Sequence, residues 1–194
     1  MNTFVLATAN PHKAEEMRDV LAPLGFTLLD RPDHVAEVDE SESTLEGNAL
    51  LKARALARAT ATAAIADDTG LFVDALSGRP GVYSARYAGE SATYADNVAK
   101  LLGELTGTEP SARTASFRTV IAVAYPNGDE FWVDGVLAGR ILDAPRGLHG
   151  FGYDPVFVPD ESGGRSLAEL SPDEKNALSH RARALRAIAS RLEK

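Results

Sequence analysis

The sequence predicts an α/β protein, and three observations carry that expectation. Thr3-Phe4-Val5-Leu6-Ala7-Thr8 is a short apolar run that passes directly into a helix start at Asn10-Pro11. Several later segments repeat apolar residues at helical spacing behind recognisable caps. Residues 119–125 form a β-rich run that residues 131–137 answer across Pro126-Asn127-Gly128-Asp129, a strong turn signal.

The first run reads as a strand buried on both faces. Asn10 suits a helix N-cap and Pro11 the first helical position, while Met17, Val20, Leu21 and Leu24 supply the apolar stripe. A strand feeding a helix N-terminus makes an anion site, because free N–H groups and the positive dipole end meet at one place. Lys13 lies in that first turn, where a cation calls for a compensating negative charge. Phosphate would supply it; the alternative is a solvated lysine. Residues 33–42 are acidic and turn-rich, with Glu37, Asp39, Glu40 and Glu42 close together, and read as a solvated loop. Ser43 and Glu46 form a capping-box pattern that opens an Ala-rich helix to about Ala61, carrying Lys52.

Residues 63–66 form the next strand. Beyond residues 77–89, Thr93 and Asp96 open a helix bearing Val98, Leu101, Leu102 and Leu105, and residues 106–114 read as a surface loop. After the hairpin, a Gly- and Pro-bearing loop delivers Phe151-Gly152-Tyr153-Asp154-Pro155 and a short strand, Val156-Phe157-Val158. Glycine beside aromatics suggests a flat ligand stacked on a ring, the alternative being an aromatic plug in the core. Ser171-Pro172-Asp173-Glu174 caps a helix holding Lys175. A continuous helix would put Lys175, His180 and Arg181 on different faces, whereas a second helix capped by Ser179 would turn them toward one place.

At 194 residues the chain fits one domain, 1–194, of one or two lobes, and 44% hydrophobic with 25% charged residues is ordinary for a globular protein. It has no apolar run of membrane-spanning length and no signal-peptide pattern, so a cytoplasmic location is expected. The absence of cysteine excludes disulfides, thiolate metal sites and a cysteine nucleophile. The four His lack zinc-site spacing, leaving a hard cation on oxygen ligands as the candidate metal. A net charge of -8 argues against a nucleic-acid polymer as partner but allows a small phosphate ligand.

The stretch richest in chemistry is Ala66-Asp67-Asp68-Thr69-Gly70-Leu71. Two adjacent carboxylates at a strand tip repel each other unless a cation lies between them. Magnesium suits the place, since it takes one or two carboxylates and completes its shell with water and substrate phosphates. The other reading is a turn made from turn-forming residues.

Together these pieces resemble the inosine triphosphate pyrophosphatase family, also described as dITP/XTP or non-standard purine nucleoside triphosphate pyrophosphatases. The likeness spans nearly the whole chain. It rests on six stretches in the family's order: Thr8-Ala9-Asn10-Pro11-His12-Lys13, Glu46 to Ala53, Ala66 to Leu71, Pro80 to Tyr87, Gly150 to Pro155 and Glu174 to Arg181. The resemblance implies an elongated mixed sheet with flanking helices, two lobes around a central nucleotide cleft, and a homodimer. It also implies magnesium-dependent hydrolysis of ITP, dITP or XTP between the α and β phosphates, giving the monophosphate and pyrophosphate.

Carried onto this sequence, the resemblance makes Thr8, Ala9, Asn10, Pro11, His12 and Lys13 a phosphate cradle that Lys52 also reaches. Asp68 becomes the carboxylate that orients or deprotonates water, Glu40 and Asp68 hold magnesium, and Thr69 lies with the substrate. Asp67 is close enough to share the ion or the water. Phe151, Gly152, Tyr153, Asp154, Lys175, His180 and Arg181 become the base pocket. Two positions depart from the usual pattern: Ala9 stands where many members have Gly, and Thr69 where Ser is usual. Two other readings remain. A Maf-like pyrophosphatase of modified pyrimidines is disfavoured by the His180-Arg181 and 151–154 patterns. A nucleotide sensor without chemistry has little need for clustered acids that repel a triphosphate.

Overall fold

The buried apolar runs of this chain become strands, and capped segments become the helices between them. The computed structural model describes residues 2–36 and 38–192. The strands are β1 (Thr3–Leu6), β2 (Thr27–Leu29), β3 (Ala64–Val73), β4 (Pro80–Gly81), β5 (Thr114–Ala124), β6 (Glu130–Ile141) and β7 (Phe157–Pro159). The α-helices are α1 (Pro11–Leu21), α2 (Leu45–Thr60), α3 (Tyr94–Glu104), α4 (Pro172–Leu178) and α5 (His180–Leu192). Among the described residues the strands form one seven-stranded mixed sheet in the order β2-β1-β3-β5-β6-β7, with β4 on β3. β1 runs parallel to β2 and β3, whereas β4 is antiparallel to β3 and β7 to β6. No helix among them is long and apolar enough to cross a membrane.

The chain divides into two compact units. The first comprises Met1–Asp68, Thr119–Gly135 and His180–Lys194. Phe4 and Leu6 of β1, Met17 and Leu21 of α1, Ile65, Ile121, Leu185 and Ile188 make its core. Each such side chain, fully buried, contributes about 1.5–3 kcal/mol. β1 pairs with β3 in the register Leu6↔Ile65, and where they pair both are apolar and buried, as strands covered on both faces are. Gly135 lets β6 meet the start of α5: a Cβ there would lie 2.2 Å from the His180 carbonyl oxygen and 2.5 Å from the Ala184 nitrogen.

The second unit comprises Thr69–Arg118 and Val136–Ser179. Its core gathers Leu71, Val73, Leu101, Phe117, Leu137, Phe157 and Leu167, with the Phe117 and Phe157 rings edge-on at 4.7 Å. The loop before Phe151 is pinned from below: Leu148 and His149 N–H both donate to the Ala168 carbonyl at 3.0 Å. Those bonds fix the approach to residues 151–154.

Two sequence expectations are corrected. The helix at Ser43-Glu46 is capped instead by Thr44, whose hydroxyl accepts from Gly47 N–H at 3.1 Å, a residue later than the capping-box pattern suggested. The acid pair marks neither a turn nor a strand tip, for β3 runs on through residue 73. Gly70 serves close approach rather than turning, since a Cβ there would fall 2.7 Å from the Gly81 carbonyl oxygen of β4.

Candidate active site

The first turn of α1 is closed by its own cap. Asn10 Oδ1 accepts from His12 N–H at 3.0 Å and Lys13 N–H at 3.3 Å, while Thr8 Oγ1 accepts from Asn10 N–H at 3.2 Å. Two of the N–H groups that the sequence argument assigned to an anion are therefore already satisfied. What this turn offers a phosphate is the dipole end and the Lys13 ammonium. Ala9, Pro11 and His12 are exposed beside it. The negative partner expected for Lys13 lies within the chain, with Nζ 3.1 Å from Asp67 Oδ2.

Successive side chains of a strand leave on opposite faces, so Asp67 and Asp68 take different partners. Asp67 is fully buried and accepts from Arg181 Nε at 3.3 Å and Nη2 at 3.2 Å as well as from Lys13. Arg181, itself 2% exposed, also bonds Glu16 of α1 through Nη1. Burial alone would raise the Asp67 pKa, but Lys13, Arg181 and Lys52 outweigh it and hold the carboxyl well below the usual carboxylate range. Burial lowers and the two carboxylates raise the Arg181 value, which ends above its ordinary level.

Asp68 lies in the other company. Lys52 Nζ stands 3.6 Å from Asp68 Oδ1 and 3.0 Å from Glu40 Oε1, and Asn48 Nδ2 donates to Asp68 Oδ2 at 3.2 Å. Burial pushes the Asp68 pKa up, and although Lys52 opposes this, Glu40 and Asp67 add to it. For Lys52 burial acts downward, yet Asp68, Asp67 and Glu40 together raise its value. Burial thus prevails at Asp68 and the neighbouring cations prevail at Asp67, so the two adjacent aspartates shift in opposite directions. Thr69 follows, half-buried.

These contacts also test a metal. Among the described residues no three His, Cys, Asp or Glu side chains converge as a ready-made cage. Glu40 and Asp68 do converge on one ammonium, which marks a point where two carboxylates can share a positive charge. Two carboxylates with water and phosphate oxygens for the rest is a donor set that fits magnesium. Glu40 is thereby set apart from the solvated acidic loop the sequence suggested, and Glu37 lies outside the described residues.

In the second unit, Asp154 Oδ2 accepts from Phe151 N–H at 2.8 Å and from Lys175 Nζ at 2.6 Å. Lys175 Nζ also lies 4.7 Å from the Phe151 ring centroid. Gly150 (φ +75°) and Gly152 (φ +63°) shape the loop, and a Cβ on Gly150 would sit 2.1 Å from Asp154 Oδ2. Tyr153 turns inward: it is 4% exposed, its hydroxyl donates to the Ser84 carbonyl at 2.9 Å, and burial pushes its pKa up. Tyr153 is a core residue here, and its neighbours Phe151 and Gly152 are the half-buried ones.

The helix break before His180 occurs as the sequence suggested, with Ser179 extended at φ −62° and ψ 155°. The three groups it was expected to gather have separate partners, however. Lys175 bonds Asp154 in the second unit, whereas in the first unit His180 Nδ1 lies 2.6 Å from Thr119 Oγ1 and Arg181 bonds Asp67 and Glu16. Both His180 and Arg181 are almost wholly buried.

Sequence reasoning missed Asn48 and Glu16. Asn48 had a signal: it occupies the buried stripe of α2 beside Leu45, Ala49, Ala53 and Leu56, where a polar residue demands a partner. Its Oδ1 accepts from Glu42 N–H at 3.0 Å, so one amide ties the acidic loop to Asp68. Glu16 had none, since its partner lies 165 residues away.

The model of the Ham1 family matches residues 4–191. A dITP/XTP pyrophosphatase of Bacillus subtilis (strain 168) is 45% identical over 195 residues, covering 100% of this chain and 98% of that protein. A protein of the same name from Geobacter sulfurreducens is 50% identical over 195 residues, covering 99% and 97%. The solved structure of a HAM1 protein from Coxiella burnetii superposes with a TM-score of 0.89 at 42% identity, covering 100% of this chain and 99% of that one. The Staphylococcus aureus Ham1 protein gives 0.87 at 36%, covering 98% of each.

Proposed function

The chain belongs to the Ham1 family, and from that premise we propose that it hydrolyses non-standard purine nucleoside triphosphates (ITP, dITP and XTP) to the monophosphate and pyrophosphate. The relatives it matches along their full length bear the name dITP/XTP pyrophosphatase. The single observation that carries the reading is the contact of Lys52 with both Glu40 and Asp68. A buried acid with a raised pKa, a second acid and a shared cation form a set suited to water activation beside a polyphosphate.

In this mechanism Asp68 orients a water and accepts its proton as the oxygen attacks the α phosphorus. The bond from that phosphorus to the bridging oxygen breaks, and pyrophosphate departs. Lys13 and Lys52 neutralise charge that grows on the leaving group. Magnesium, held by Glu40 and Asp68, would supply further charge neutralisation there. Asn48 keeps Asp68 Oδ2 oriented, and Asp67, paired with Arg181, keeps Lys13 in place.

Phe151, Gly152, Asp154 and Lys175 would take the purine. A carbonyl at position 6 accepts from donors such as the Lys175 ammonium, whereas the adenine amino group would oppose one donor with another and leave buried groups unpaired. His180 and Arg181 enter this reading through their contacts with Thr119 and Asp67. The whole chain, 1–194, would act as one domain, as a homodimer in the cytoplasm, without nucleic-acid or membrane partners. Incubation with ITP and magnesium tests the reaction: pyrophosphate should appear in step with IMP, and orthophosphate alone would reject it.

A further inference from the structure

Phe151 sits in a loop between two glycines of positive φ, so its backbone does little to fix its ring. Contacts must do so. One is Lys175 over the ring, and another is Tyr94, whose ring lies 6.0 Å away at an interplanar angle of 41°. Tyr94 stands on a rigid mount. It is the first residue of α3, behind a capping box in which Asp96 Oδ2 accepts from Thr93 N–H at 2.8 Å and Thr93 Oγ1 accepts from Asp96 N–H at 3.2 Å. In the same turn, buried Asn97 accepts from Ala88 N–H at 2.7 Å and donates to the Ala85 carbonyl at 3.0 Å, which ties the helix start to its neighbouring segment.

A tyrosine so firmly mounted is nonetheless 44% exposed. It contributes little to the core, and its contact is with the one aromatic ring of residues 151–154 that is not buried in it. We propose that Tyr94 is a positioning residue for the purine: it sets the tilt of the Phe151 ring, on which a planar base stacks. This inference rests on the reading of residues 151–154 as the base end. The tilted contact needs a ring and not a hydroxyl, because aromatic pairs are held by the positive edge of one ring against the negative face of another.

The test compares Tyr94→Leu with Tyr94→Phe. Leucine keeps apolar bulk but removes the ring, so KM for ITP and Kd for IMP, measured by titration calorimetry, should rise about three- to tenfold. The kcat and the inhibition constant of pyrophosphate, which reports on the other end of the substrate, should stay within about twofold of the unaltered values. Phenylalanine should restore IMP binding. Unaltered IMP affinity in Tyr94→Leu would overturn the proposal, as would failure of phenylalanine to rescue. Equal weakening of IMP and pyrophosphate together with a lowered Tm would also overturn it, by making Tyr94 a structural residue only. An unaltered chain that binds IMP yet releases no pyrophosphate from ITP would instead reject the proposed reaction and leave this inference standing.

Discussion

Lys52 holds its ammonium 3.6 Å from Asp68 Oδ1, inside a site where Asp68 is 4% exposed. That pairing keeps a carboxylate usable although burial favours its neutral form. Asp68→Asn keeps shape and volume but cannot accept the proton of water. Turnover of ITP should fall about 10²- to 10⁴-fold while the circular dichroism spectrum stays unchanged. Near-normal turnover would remove Asp68 from its role.

Because Asp68 must be ionised to act as base, the rate should decline on the acid side of its raised pKa. In the kcat/KM profile, which reports the free protein, the upward shift moves that decline to higher pH than for a free aspartate. An acid limb of kcat/KM below the position expected for a free aspartate would contradict the assignment.

Chelation should abolish pyrophosphate release and magnesium should restore it. Glu40→Gln leaves Asp68 as the remaining carboxylate of the pair, so the magnesium concentration for half-maximal rate should rise. If titration of the variant follows that of the unaltered protein, Glu40 is not a ligand.

Asp67 gives a pH-dependent stability of definite sign. Its carboxyl in the folded chain titrates below its unfolded value, so its contribution is complete above the ordinary carboxylate range and fades as pH falls through and below it. Asp67→Asn leaves Arg181 and Lys13 short of a buried partner and should cost about 3 kcal/mol near neutral pH. The gap between variant and unaltered protein, read by urea unfolding, should narrow on acidification. A constant gap from pH ~7 to pH ~3 would disprove the coupling.

Gly135→Ala should lower stability by about 1–3 kcal/mol through overpacking, because backbone of α5 occupies the space its Cβ needs. Gly103→Ala is the contrasting change. It lies within α3 with nothing within 4 Å of a new Cβ, and it should gain about 0.4–1 kcal/mol by reducing the freedom of the unfolded chain. Thermal melts of the two variants should move in opposite directions.

Much of this was legible in the sequence because it is local. Asn10-Pro11, the Thr93–Asp96 box, the Ser171–Glu174 box and the turn at residues 126–129 each fix backbone with groups a few residues apart. Family membership was legible too, from six short stretches whose order the Ham1 match supports and which sets aside the Maf-like alternative. What escaped was pairing at a distance. Nothing near Asp67 in the chain announces Arg181, 114 residues on, and nothing near Glu40 distinguishes it from the other acids until Lys52 is seen beside it. The strand at the acid pair was misjudged for a related reason, since Gly70 answers to a backbone in β4 rather than to its own neighbours.

The Asp67–Arg181 pair has a consequence for synthesis on the ribosome. A nascent chain complete through β6 already contains β1, α1 and the whole of β3, yet α5, which brings the guanidinium, has still to be translated. Until then the aspartate has Lys13 of α1 but lacks the second of its two direct cationic partners. The first unit is therefore closed only when α5 arrives, and the balance of charge around Asp67 waits on that helix.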